Sequence, residues 1–202
     1  MYRYRGLTPE EKTKILQQRQ LNRFPPHAPP HFHDTEGWFL ITAATYEHKP
    51  YFHTDEERTW LLSELRKELQ VVNISISGWV VLPNHYHLLV KCQPLSVISQ
   101  PLRRVHARTA RKLNHREGLT GRQIWYRFSD RQIRNERHYY TTLNYIHYNP
   151  TKHNYVQKPK DWSCSSLHWY EQHFGIEWLR ALWRTHPVRD YGKGWDWQNS
   201  GS

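Results

Sequence analysis

Along the chain, apolar residues recur with two different spacings, and the switch between them marks the elements. "GWFLITAATY" (37–46) is a nearly unbroken apolar run of strand length, which predicts a buried strand. "DEERTWLLSELRKELQ" (55–70) instead repeats Trp60, Leu61, Leu65 and Leu69 at helical spacing. "ISISGWVVLP" (74–83) predicts a second strand, Pro83-Asn84 a turn, and "HYHLLVK" (85–91) a third strand. "LSVISQPLRRVHARTARKLNHREG" (95–118) reads as a helix with an apolar line at Ile98, Leu102, Val105 and Leu113. "GRQIWYRFSDRQIRN" (121–135) gives a loop and a fourth strand, and "ERHYYTTLNYIHYN" (136–149) a helix that stops near Pro150. The order β-α-β-β-α-β-α predicts an α+β fold: an antiparallel sheet with helices packed on one face, close to a split βαβ arrangement.

Two extensions flank that core. Thr8 and Glu11 form a capping-box pattern around Pro9, predicting a helix over 8–20, and "FPPHAPPH" makes 24–36 a linker. Residues 158–202 hold short helical patterns and a Trp-rich tail. The expected division is therefore an N-terminal extension (1–36), a central domain (37–157) and a C-terminal extension (158–202), with no internal repeat.

Charge narrows the partner. Lys plus Arg number 29 against 18 Asp plus Glu, a net +11 that favours a polyanion. Ten Trp and thirteen Tyr can pack a core or stack on unpaired bases, so single-stranded or distorted nucleic acid fits best. Arg103, Arg104, Arg108, Arg111, Lys112 and Arg116 line one face of the 95–118 helix. The first five are candidate phosphate contacts; the plain alternative is a solvated helix face. No run approaches the roughly 18 apolar residues of a membrane span, and the polar start lacks a secretory signal. Cys92 and Cys164 build no disulfide framework, and no CxxC pair accompanies the histidines. A cytosolic protein with free thiols is expected, without a membrane partner, as monomer or homodimer.

Within "WVVLPNHYHLLVK", His85 and His87 alternate with Tyr86 on a predicted strand, so both imidazoles share a face and can grip one divalent ion. Fifteen histidines yield about one His-x-His pair by chance, so context decides. His31-Phe32-His33 follows the Pro-rich linker and nothing rigid holds it, whereas His85 and His87 begin a strand. A third ligand must carry oxygen. The 136–149 helix offers two pairs four apart, Tyr145 with Asn149 and Tyr140 with Asn144, and spacing does not separate them. Asn149 could equally cap a helix beginning at Pro150, and Tyr145 could simply pack in the core.

Taken in order, "WVVLPNHYHLLVK", "IWYRFSDRQIRN", "YIHYNPTKHNYV" and "DWSCSS" resemble the REP-associated tyrosine transposases, single-tyrosine members of the His-hydrophobic-His superfamily. The resemblance runs from about Gly37 to Ser166. It implies a ferredoxin-like catalytic domain that cuts and rejoins single-stranded DNA near hairpins with Mg²⁺ or Mn²⁺. It further implies Tyr145 as nucleophile forming a 5′-phosphotyrosine link, and His85, His87 and Asn149 as metal ligands. "KHNYV" stands where the family often has "KHGLV"; Asn154 tolerates a left-handed backbone, so the change is compatible. Two other classes stay open: a nucleic-acid-binding protein that keeps the fold without cleavage, and a metal hydrolase using water on small substrates.

Overall fold

The structure, a computed structural model, describes residues 36–193 together with Thr8, Glu10, Thr13, Lys14 and Gln17. The capping-box partner Glu11, the Pro-rich stretch through residue 35, the His31/His33 pair and the tail from residue 194 lie outside the described residues.

Four antiparallel strands form one sheet: β1 (Gly37–Ala44), β2 (Ile76–Val81), β3 (His85–Cys92) and β4 (Ser129–Gln132), in the order β2-β3-β1-β4. Helix α1 (Asp55–Val71) links β1 to β2, and α2 (Ser99–Arg116) links β3 to β4. Strand β3 thus lies between β1 and β2, which is the split βαβ arrangement of a ferredoxin-like fold. Helix α1 starts where side chains satisfy its free backbone donors. Thr54 accepts from the Glu57 amide (3.2 Å) while the Glu57 carboxylate accepts from the Thr54 amide (3.1 Å), closing a capping box on α1.

Both faces of the sheet are covered. Phe39, Ile41, Tyr86, Leu88 and Val90 pack with Leu61, Leu65 and Leu69 of α1 and with Leu102 and Val105 of α2. These two crossover helices share one face, as the patterning predicts. Leu40, Val80 and Leu89 point the other way, into a second core with Leu143 and Ile146 of α3 (Glu136–Lys152). Leu167 and Tyr170 of α4 (Leu167–Phe174) and Leu179 and Leu182 of α5 (Ile176–Thr185) complete it. Sequence reading gave the first layer and missed the second, because Trp162, Tyr170 and the short helices around them follow no long period. Gly78 permits the close approach of α3: a Cβ there would come within 2.8 Å of Leu143 Cδ1.

Register carries this layering to the histidines. His87 lies opposite Thr42 and His85 opposite Ala44, in phase with the Leu89–Leu40 pair. Both imidazoles therefore face α3 rather than α1 and α2.

Candidate active site

The strand and the helix bring four side chains together. Tyr145 directs its hydroxyl at His87 Nε2, 3.5 Å away and at the outer limit of a hydrogen bond. Asn149, one helical turn further, sets its Oδ1 3.1 Å from His85 Nε2. His85, His87, Tyr145 and Asn149 are each 5% exposed or less. The rival pair goes elsewhere. Asn144 donates through its amide to the carbonyls of Leu182 (3.1 Å) and His186 (2.8 Å), and the Tyr140 ring lies 5.1 Å from that of His186. Asn149 is also no cap: α3 runs on through Pro150 to Lys152, since a proline this near the end removes only one backbone bond.

Each imidazole is held from behind. Asn84 Oδ1 accepts from His85 Nδ1 (2.7 Å), and we assign the Nδ1 proton accordingly. Thr42 Oγ1 lies 2.7 Å from His87 Nδ1; with the proton assigned to Nδ1 here as well, His87 Nε2 is the acceptor that the Tyr145 hydroxyl faces. Fixing Nδ1 through an oxygen partner is how metal-binding histidines are oriented with Nε2 presented to the ion.

Asn149 supplies an independent test of fit. With its proton on Nδ1, His85 presents a lone pair at Nε2 to another acceptor, Asn149 Oδ1, while Asn149 Nδ2 is buried with no hydrogen-bond partner. A cation between the two acceptors resolves that conflict. Adjacent donors on an octahedral ion with bonds of about 2.1 Å stand roughly 3.0 Å apart, close to the observed spacing. Two imidazole nitrogens and an amide oxygen suit Mn²⁺ or Mg²⁺ and leave positions for substrate oxygens. Among the described residues no cluster of three His, Cys, Asp or Glu side chains could hold a metal, so an ion on His85 and His87 would take a third protein donor of another kind, such as the Asn149 amide oxygen.

Sequence reasoning missed the surroundings. Lys152 Nζ stands 5.0 Å from the Tyr145 ring centre and donates to the Gly192 carbonyl (3.0 Å). Its place on the tyrosine face, seven residues on, was a readable signal. His153 reaches within 5.0 Å of His85 between ring centres. Asn154 adopts the left-handed conformation expected of it, φ 59°. Above Tyr145 lie the Tyr191 ring, 5.5 Å away, and Gly192, where a Cβ would collide with the tyrosine ring. Tyr191 is fixed by His138 Nε2 (3.0 Å) and Thr142 Oγ1 (2.5 Å).

The basic helix face lies on the far side of the sheet. Arg104 pairs with Glu68 (2.6 Å), Arg108 with Glu64 (2.8 Å) and Glu68 (2.7 Å), and Arg116 with Glu57. Lys112 sits over the Trp60 ring at 3.8 Å. Arg103 and Arg111 are exposed, without a partner among the described residues.

Sheet order, crossover helices and a His-x-His strand facing a helical tyrosine define a ferredoxin-like α+β domain with its imidazole pair and phenol on one side of the sheet. Comparison with known proteins narrows the likeness. The chain is 33% identical over 98 residues to a candidate REP-associated tyrosine transposase of Haemophilus influenzae, covering 44% of this chain and 56% of that one. It is 34% identical over 95 residues to the REP-associated tyrosine transposase of Escherichia coli, covering 46% and 54%. The match thus spans a little over half the length of these relatives. A solved REP-associated tyrosine transposase bound to a REP hairpin superposes with a TM-score of 0.58 at 25% identity, over 71% of this chain and 84% of that one. No family model matches the sequence. In sequence and fold alike, the chain resembles the REP-associated tyrosine transposases.

Proposed function

We propose that this chain is a transposase-type enzyme that cuts and rejoins single-stranded DNA beside a hairpin, through Tyr145. One observation carries the reading: a strand-borne imidazole pair and a helix-borne phenol and amide converge on one point, with Tyr145 3.5 Å from His87 and Asn149 3.1 Å from His85. The similarity to transposases, one of them bound to a REP hairpin, supports it.

In this reading the Tyr145 oxygen attacks the scissile phosphorus. An O–P bond to tyrosine forms, the bond from phosphorus to the 3′ oxygen breaks, and the phenolic proton leaves as the 3′ oxygen gains one. The products are a 5′-phosphotyrosine and a free 3′-hydroxyl. Attack by a 3′-hydroxyl on that linkage restores the strand, so cutting and joining are one reversible exchange. Lys152, with its ammonium 5.0 Å from the Tyr145 ring centre, would offset negative charge that develops there during attack. His85, His87 and Asn149 would hold Mg²⁺ or Mn²⁺, which supplies Lewis acidity toward the phosphate. The Tyr191–Gly192 segment must move aside for the phosphate to reach the phenol, which is 0% exposed.

The test is a hairpin-bearing single strand incubated with Mn²⁺ and run on a denaturing gel. A covalent adduct is expected, abolished in Tyr145→Phe while hairpin binding persists. An adduct that survives Tyr145→Phe and disappears in Tyr140→Phe refutes the assignment. Full burial of Tyr145 favours one second reading, a hairpin-binding protein without cleavage; binding with no adduct from the unaltered chain would establish it.

A further inference from the structure

Beside the site stands an aromatic arrangement that the proposed chemistry does not use. Arg58, 6% exposed, places its guanidinium 4.4 Å from the centre of the Trp162 ring. Trp162 is itself fixed, donating through its indole N–H to the Val81 carbonyl at 3.0 Å. Against Trp162 lies the Tyr155 ring, 5.5 Å between centres and tilted by 38°. Tyr155 nevertheless keeps 40% of its surface open. Its backbone is held by the turn that ends α3, where Asn154 is left-handed (φ 59°) and the Tyr155 amide donates to the Pro150 carbonyl (3.0 Å). His153 on the same turn lies 6.4 Å from Tyr155 and 5.0 Å from His85, so ring contacts lead from the imidazole pair to the surface.

A tyrosine that only completed a core would hide its ring. This ring is backed by an indole, locked by a helix terminus and left open outward. Stacking a flat ligand on it orders little that is not already ordered. The flat ligand that fits the surroundings is an unpaired base. Net charge is +11, Lys152 and Lys158 bracket the turn, and bases stack on aromatic faces without sequence preference.

We propose that Tyr155 is a stacking platform for an unpaired base of the strand whose phosphate enters the site. The inference rests on the proposed function for the path of the strand. Its result can be read separately.

The probe is a hairpin-bearing single strand with 2-aminopurine, whose fluorescence falls on stacking, placed in turn at each unpaired position. Each strand is titrated with the full chain carrying Tyr145→Phe, so that it is bound and not cut. Quenching is expected at one position. Adding Tyr155→Leu keeps an apolar cover on Trp162 but removes the flat face; it should abolish that quenching and weaken binding roughly tenfold. Tyr155→Trp should retain both. If quenching and affinity persist in Tyr155→Leu, the ring merely covers Trp162 and the proposal falls. Quenching that depends on Tyr155, in a chain that forms no adduct when Tyr145 is restored, would sink cleavage and leave the platform standing. Adduct formation without such quenching does the reverse.

Discussion

His87 is oriented from both sides of its ring, by Thr42 at Nδ1 and by the Tyr145 hydroxyl at Nε2. Thr42→Val keeps the shape of the side chain and removes the oxygen that fixes the tautomer. We expect Mn²⁺ affinity to fall by about 10–100-fold, read by calorimetric titration, with little change in fold. Unchanged affinity would mean that Thr42 does not orient the ring. The same residues show how far single-sequence reading reaches. Alternation along β3 suffices to place His85 and His87 on one face. Helical spacing alone leaves Tyr145/Asn149 and Tyr140/Asn144 equivalent, because both pairs are four apart. What separates them is tertiary: the Asn144 amide is consumed by the Leu182 and His186 carbonyls. Thr42 was out of reach for the same reason, since its role depends on cross-strand register. Asn84 was within reach, standing next to His85 in a turn already read as such.

At the scale of elements, α2 divides its arginines between two tasks. Arg104 and Arg108 are held by Glu64 and Glu68 of α1. Burial alone would raise the Glu68 carboxyl, but hydrogen bonds from Arg104 and Arg108 outweigh it and hold the group below its ordinary range. Arg103 and Arg111 point outward. We expect Arg104→Ala with Arg108→Ala to lower the melting temperature by several degrees, because two buried-side carboxylates lose their partners. Arg103→Ala with Arg111→Ala should leave melting unchanged. If this face touches DNA, that second pair should flatten the dependence of binding on salt by about 1.4 in log–log slope, roughly 0.7 per phosphate on a single strand. An unaltered slope assigns the whole face to packing and solvent. The helix pattern in the sequence located α2 and its apolar stripe correctly. It was silent on α1 as the acidic partner, because the pairs join residues 36 to 44 positions apart.

At the scale of the whole molecule, three imidazoles, His106, His138 and His147, are held below their ordinary pKa, and together they shape its response to acid. Burial pushes His106 down to about 3, where it stacks on Trp125 at 4.5 Å and faces the Tyr86 hydroxyl at 2.9 Å. Burial, reinforced by His168, pushes His147 down to about 3 beside Ser166. Burial together with Arg131 and Arg134 lowers His138 to about 4, where its Nδ1 accepts the Arg134 amide. In the unfolded chain each titrates near 6.5. Between that value and the folded values the unfolded state binds more protons, so stability falls as pH falls from about 6.5 toward 4. Each imidazole adds a slope of up to about 1.4 kcal/mol per pH unit. The carboxylates at Asp55 and Glu68 are held below their usual range, so the stability they contribute is lost as pH falls from about 5, where the unfolded carboxylates begin to take up protons. A urea midpoint followed from pH 7 to about pH 5.5 therefore isolates the histidines and should decline throughout. A midpoint flat across that range would mean that the three rings take up protons without unfolding. The sheet would then be looser around α3 than its packing implies. His138 ties this response to the site: its Nε2 faces the Tyr191 hydroxyl that lies over Tyr145, and a proton taken up at Nδ1 costs it the Arg134 amide bond.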